Sequence, residues 1–122
     1  MLTAQQEAWL EAGMVNFNTG RFWHAHEDWE DLWKSLKGVA SQEVVDGVQG
    51  LIQIAAMLLN HERGKGRGVN NLWTKSSAKL RPVMDGLLGI DVSGLYAQCE
   101  PFHQDVETYA LEPRNVRIER QD

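Results

Sequence analysis

With 122 residues, of which 43% are hydrophobic and 24% charged, the chain has the size and composition of one ordinary globular domain. Its formal net charge of −5 argues against a general nucleic-acid binder, which is usually basic. A single cysteine, Cys99, excludes an internal disulfide, so nothing requires an oxidising compartment. The first residues lack a basic segment followed by an apolar run, so we expect no signal peptide and a cytoplasmic protein.

Periodicity and capping residues predict about five helices and no strand. Thr3, with Gln6 three residues later, is a capping-box signal for a first helix that reaches about Phe17. The asparagine and glycine that follow tolerate left-handed backbone and suit the end of that helix. The second helix is predicted over about 21–37, with Gly38 as its end.

Two further helices are predicted between residues 41 and 81. Ser41 is a candidate N-cap for the third helix, which should end near Gly64. This helix contains the longest uncharged stretch of the chain, which at 14 residues is too short to span a bilayer, so we expect no membrane association. The glycine-rich residues 64–68 predict a tight turn. The fourth helix should then cover about 69–81, because Pro82 ends or kinks it.

The fifth helix is predicted from near Ser93 to near Tyr109. Residues 111–122 are polar, and we expect this tail to be loosely held outside a core of residues 3–110. Short connections between consecutive helices favour antiparallel neighbours. The predicted fold is therefore an all-α, bundle-like single domain over residues 1–122.

Histidines and carboxylates are concentrated in residues 17–33, FNTGRFWHAHEDWEDLW, together with three of the five tryptophans. At 100° per residue, His26 falls within the apolar stripe of the second helix and Glu30 lies at its border. The two residues are four apart and therefore neighbours on the helix surface. Glu27 lies further round. The remaining charged residues of this segment are expected to face solvent: His24, Asp28 and Asp31.

Two interpretations of His26 and Glu30 are open. In one, the carboxylate holds a buried histidine, since burying an imidazole is unfavourable unless its nitrogens find partners, and the protein is a non-catalytic structural or interaction module. In the other, HEDWE resembles H-E-x-x-H with its last histidine replaced. His26 and Glu30 would then bind a divalent metal, and Glu27 would be the general base of a hydrolase acting on an unknown small-molecule substrate. No second motif of this kind occurs, as a ferritin-like dimetal bundle would need.

The third predicted helix supplies candidate companions for this site. No charge occurs at residues 47–60, so we expect the helix to be covered on most sides. His61 lies near its end and is a candidate third metal ligand. We place a polar site between helices two and three, and its other candidate members are Asn18, Gln49 and Gln53.

Six of the twelve basic residues lie within the nineteen positions 63–81, and we call this set the basic strip. Its members are Arg63, Lys65, Arg67, Lys75, Lys79 and Arg81. A solvated face, or a counterpart to the acidic second helix, is the usual meaning of such a pattern. The alternative is anion or nucleic-acid binding, centred on Arg63, Lys65 and Arg67, which would weaken with salt. The net charge makes nucleic acid the less expected partner, and a homo-oligomer is a further expectation.

Two segments of the chain resemble a prokaryotic family of small helical proteins, domain-of-unknown-function family 309. The first family pattern is similar to Phe-Asn-x-Gly-x-Phe/Tyr-x-Glu-Ala-His-Glu-x-x-Glu-x-x-Trp. It is matched here by Phe17, Asn18, Gly20, Phe22, Ala25, His26, Glu27, Glu30 and Trp33. The second motif is matched by Gln49, Gly50, Leu51, Gln53, His61, Gly64, Arg67 and Gly68. His24 stands where the family more often has glutamate.

The resemblance covers roughly residues 16–80 and implies an all-helical fold. From the His–Glu pattern it also implies a metal-dependent hydrolase.

Overall fold

Five α-helices and three short 3-10 turns make up the computed structural model, which describes residues 1–122. The helices are α1 (Ala4–Asn18), α2 (Phe22–Leu36), α3 (Gln42–Glu62), α4 (Gly66–Leu80) and α5 (Val92–Cys99). The 3-10 turns are Arg81–Val83, Glu100–Gln104 and Pro113–Asn115. No strand forms, and the only β-type pairs are isolated bridges at Ile90. The predicted all-α architecture is confirmed.

Three helix ends lie at the residues predicted from local capping signals: the start of α1, the end of α2 and the start of α3. The Thr3 hydroxyl accepts a hydrogen bond from the Gln6 amide at 3.1 Å, and the Gln6 side chain accepts one from the Thr3 amide at 2.9 Å. Ser41 caps α3 by accepting a bond from the Val44 amide at 3.4 Å. Gly38 follows α2 with a φ of 76°, a conformation that glycine adopts at little cost.

Helix α3 is the central element of the fold. It packs against α2 on one side and α4 on the other, and α1 covers α2. Its buried residues face several directions, in agreement with the uncharged sequence: Val45, Gly47, Val48, Gly50, Leu51, Ile52, Ile54, Ala55, Met57, Leu58 and His61. No helix, α3 included, combines the length and the apolar character needed to cross a membrane.

Helices α1 and α2 approach closely where Gly13 faces the indole of Trp29. Trp29 is fully buried, and its ring nitrogen donates to the carbonyl of Leu10 at 3.3 Å. The ring of Phe17 packs against Phe22 and Trp29, with centroid distances of 5.3 and 5.8 Å. A Cβ atom at position 13 would overlap the indole. The missing side chain of Gly13 therefore provides the space that Trp29 fills.

Helix α4 begins three residues earlier than predicted, because two glycines of the expected turn lie inside the helix. A Cβ atom on Gly66 would lie 2.9 Å from the hydroxyl of Tyr109, and one on Gly68 would lie 2.9 Å from the amide nitrogen of Asn60. These glycines permit close packing within a helix. Only Gly64, with a φ of 66°, has the left-handed backbone expected of the turn.

The C-terminal residues differ most from the prediction. Helix α5 ends at Cys99, ten residues before the predicted end. A 3-10 turn begins at Glu100, because Pro101 has no amide hydrogen to continue the helix. The expectation of a loosely held tail is wrong: Val116 and Ile118 are only 3% and 1% exposed. Asn18 donates to the Ile118 carbonyl at 2.9 Å and accepts from the Ile118 amide at 2.8 Å. The tail is therefore anchored to the end of α1.

We predict that Gly13→Ala lowers the free energy of unfolding. Overpacking against Trp29 should cost about 1–3 kcal/mol, and the better helix propensity of alanine recovers at most about 1 kcal/mol. Urea denaturation measures the change. In a Trp29→Phe background the same substitution should cost less, because the smaller ring leaves room. Equal losses in both backgrounds would contradict the proposed contact.

Candidate functional site

The outer surface of α2 contains a shallow depression of about 360 Å³, which we call the α2 depression. It combines an aromatic ring, an imidazole, three carboxylates and one amine on successive turns of the helix. Its lining residues are Trp23, His26, Glu27, Glu30, Asp31 and Lys34.

His26 is held between a carboxylate, as the helical spacing predicted, and an aromatic ring, which was not predicted. Its ring stacks on Trp23 with centroids 5.0 Å apart and planes within 11°. Its Nε2 lies 3.6 Å from Glu30 Oε2, and the other oxygen of Glu30 lies 3.3 Å from Lys34 Nζ. The His26 side chain is 22% exposed, whereas Trp23 is 54% exposed. Glu30 is thus shared by two groups, while one face of Trp23 is covered by His26.

The remaining acids of α2 are arranged differently from the prediction. Glu27 points to His24, with 3.6 Å between Oε1 and Nδ1, and both side chains are mostly exposed. Asp31 is exposed as expected, but it lines the same depression instead of facing away from it. Asp28 is not simply solvated, because it accepts a 2.7 Å hydrogen bond from Asn16 of α1. Neither Glu27 nor Asp31 has a lysine or arginine partner.

His61 does not join His26 and Glu30. It is only 2% exposed, and its Nε2 lies 2.8 Å from Asp105 Oδ2. The rings of Phe102 and Tyr109 pack edge-on against it, at centroid distances of 4.9 and 5.2 Å. The expectation that His61 is a third metal ligand beside α2 is therefore wrong.

Asp105 is the partner that the sequence did not reveal, since it lies 44 residues from His61 and in no recognisable motif. It accepts hydrogen bonds from the amides of Leu111 at 2.8 Å and Ala110 at 3.1 Å, and from the hydroxyl of Thr108 at 2.9 Å. The Leu111 bond does most to hold the pKa of Asp105 well below its usual range. Burial opposes this shift, and the bonds from His61, Ala110 and Thr108 add to it.

The other candidates for a polar site between α2 and α3 are divided between two places. Asn18 binds the C-terminal tail and is not part of such a site. His26 Nδ1 and Gln53 Oε1 are both buried without a hydrogen-bond partner. Both residues lie about 15 Å along their helices from the α2–α3 connection, and so at the same level of this antiparallel pair. Gln49 is partly buried one helical turn earlier on α3.

The residues present do not fit a catalytic metal centre. No group of three or more histidine, cysteine, aspartate or glutamate side chains is arranged to hold a metal ion. Catalytic zinc sites use three protein ligands, whereas His26 and Glu30 supply only two. The third candidate, His61, is committed to Asp105.

The basic strip forms no ion pair within the molecule. The ion pairs that involve lysine or arginine use Lys34, Arg114 and Arg120 instead. Every residue of the strip is exposed except Lys79, which is partly buried. Arg63 and Lys65 lie in the connection before α4, and Arg67 lies in its first turn.

We predict that stability falls as the pH drops below about 4, and that Asp105→Asn reduces this loss. The pKa of Asp105 is lower in the folded state than in the unfolded chain, so the unfolded state takes up the proton first. The stabilisation is therefore present above the unfolded value and is lost as the pH falls through the folded one. Urea denaturation between pH 7 and pH 2 should show the variant to be less stable at pH 7 and closer to the parent at pH 2.

Glu107→Gln provides a matched control for this experiment. Glu107 is exposed in the same loop and makes no side-chain hydrogen bond or ion pair. An acid profile changed equally by both substitutions would show that the bonds of Asp105 are not the cause.

A family model described as Domain of unknown function (DUF309) matches residues 10–72, slightly more than half of the chain. The matched segment includes all of α2 and α3, and therefore the α2 depression and His61. Comparison with curated proteins and with solved structures found no match.

Proposed function

The chain belongs to the family Domain of unknown function (DUF309), and we propose that it is a non-catalytic interaction module whose α2 depression binds a cationic side chain of a partner protein. The observation that carries this proposal is the exposed indole of Trp23, which is stacked on His26. Two of the carboxylates in the same depression, Glu27 and Asp31, have no lysine or arginine partner.

Trp23 has the geometry of a cation-binding platform. Stacking on His26 holds one face of the indole, which leaves the other face accessible to a ligand. A lysine or arginine placed over tryptophan gains about 0.5–1 kcal/mol at an exposed site and more when water is excluded. The chain already contains one such contact, since Lys37 Nζ lies 3.7 Å from the ring centroid of Trp33. A partner cation over Trp23 would repeat this chemistry between two molecules.

The carboxylates of the depression supply the complementary charge. Glu30 is engaged by Lys34 and His26, whereas Glu27 and Asp31 have no lysine or arginine partner. Since Glu27 and Asp31 are four residues apart on one helix, they are neighbours at the surface beside Trp23. An arginine is the favoured ligand, because its planar guanidinium can stack on the indole while donating hydrogen bonds to a carboxylate.

The metal-dependent hydrolase is the weaker candidate. It requires a third ligand beside His26 and Glu30, and no third histidine, cysteine, aspartate or glutamate is arranged with them to hold a metal ion. At the same level of α3 lies the amide oxygen of Gln53, which has no hydrogen-bond partner. An amide oxygen is a ligand for hard cations such as Ca²⁺ more than for the zinc expected of an H-E-x-x-H type motif.

Binding of an arginine-containing peptide should shift the indole N–H signal of Trp23 in a ¹H–¹⁵N spectrum. Trp23→Ala should weaken binding about two- to fivefold, a loss of about 0.5–1 kcal/mol. Asp31→Asn should weaken it less. Val39→Ala, which trims another exposed apolar side chain beyond the depression, should leave the affinity unchanged. Equal affinities for the parent and Trp23→Ala would refute the platform.

Metals should not stabilise the protein. We expect the same melting temperature with and without a chelator, and no rise on adding equimolar Zn²⁺ or Mn²⁺, because a ligand stabilises only by binding the folded state. A rise that is present in the parent and absent from His26→Ala would instead favour the hydrolase. Calorimetry of both proteins makes the comparison.

A further inference from the structure

The basic strip concentrates six positive charges and forms no ion pair within the molecule. None of its six side chains lies within ion-pair distance of a carboxylate, although the chain as a whole has five more acidic than basic residues. Residues 63–84 contain no aspartate or glutamate, so helix α4 has no acid of its own. Because unpaired like charges repel one another, this arrangement is better explained by an external anion than by a contribution to folding.

The strip also has a regular geometry. Arg67, Lys75 and Lys79 fall on one line of residues spaced by four along α4, and the exposed Asn71 occupies the position between the first two. At 1.5 Å per residue this line is about 18 Å long. Lys65 precedes the line and Arg81 follows it, so positive charge extends beyond both ends of the helix.

The chemistry of the surroundings distinguishes between two kinds of anionic partner. Cores of protein–protein interfaces are enriched in aromatic and apolar residues and depleted in lysine. The exposed large hydrophobic residues all lie outside positions 63–81: Met1, Val15, Trp23, Val39 and Leu111. Interfaces with nucleic acid are more polar and far more positive. An extended line of lysine, arginine and asparagine without apolar neighbours therefore fits phosphates better than an acidic protein surface.

We propose that the basic strip along α4 binds the phosphate backbone of a nucleic acid without reading its sequence. The arginine and lysine side chains contact phosphate oxygens, and the side-chain amide of Asn71 donates a hydrogen bond to a phosphate oxygen between them. Contacts of this kind carry no base specificity, and their strength comes from counterion release. The acidic α2 depression repels phosphates, so it restricts binding to the α4 side of the molecule. This site is independent of the cation-binding function proposed for α2.

The test is fluorescence anisotropy of a labelled 20-nucleotide single strand, and of the corresponding duplex, titrated with the full chain at several salt concentrations. The logarithm of the binding constant should fall linearly with the logarithm of salt concentration, with a slope of about 0.7 per phosphate neutralised on the single strand. Lys75→Gln with Lys79→Gln should weaken binding at least tenfold at low salt and reduce the slope by about 1.4. Lys75 is exposed and Lys79 is partly buried, so a thermal melt checks that the variant is folded.

Arg21→Gln with Lys37→Gln is the matched control, because it removes the same charge from exposed positions at the two ends of α2. It should bind nearly as tightly as the parent. Absence of binding at low salt, a binding constant independent of salt, or equal loss in both double variants overturns the proposal. Equally effective competition by polyglutamate would assign the strip to an acidic protein. Salt-sensitive dimerisation that needs Lys75 and Lys79, without oligonucleotide binding, would assign it to a second copy of the chain.

Discussion

Covering the uncharged surface of α3 is the constraint on which the rest of the fold depends. A helix of 21 residues is about 31 Å long, and most of this one has no charged side chain that could face water. Apolar surface is buried when neighbouring helices can cover it, which here requires α2 on one side and α4 on the other. The positions of both candidate surfaces follow from this, because each lies on the outer face of a helix whose inner face covers α3.

The same constraint accounts for the separation of charge. Residues 47–60 of α3 contribute no charge to the surface, so along this part of the fold the charged side chains belong to the helices on either side. The outer side of α2 carries carboxylates and an exposed indole, and α4 carries lysines and arginines with no acid. The net charge of −5 averages over two faces of opposite character, and it therefore gives a poor description of either one.

The features that the sequence predicted well are those determined within a few residues. Two of them are contacts between residues three or four positions apart: the capping box at Thr3 and the pairing of His26 with Glu30. The third is the glycine after α2, whose own backbone conformation ends the helix. The features that it missed depend on distant contacts. The early start of α4 requires the side chains of Asn60 and Tyr109 to pack against glycines, and periodicity contains no information about that packing. Likewise, the partner of His61 is Asp105, which lies 44 residues away and which no local spacing identifies.

Several residues of the matched family segment contact the chain beyond it. Asn18 binds the backbone of Ile118, His61 binds Asp105, and Gly66 leaves space for the hydroxyl of Tyr109. Tyr109 has a φ of 47°, an uncommon backbone conformation for a large side chain, which persists only where the surroundings determine it strongly.

The loop that contains Tyr109 is determined by the bonds of Asp105 to the Ala110 and Leu111 amides and by the packing of His61. These contacts give Asn18 and His61 a structural explanation that needs neither metal nor substrate. Of the matched histidine, asparagine and glutamate positions, those left for binding lie on α2, where His26, Glu27 and Glu30 line a depression together with the exposed indole of Trp23.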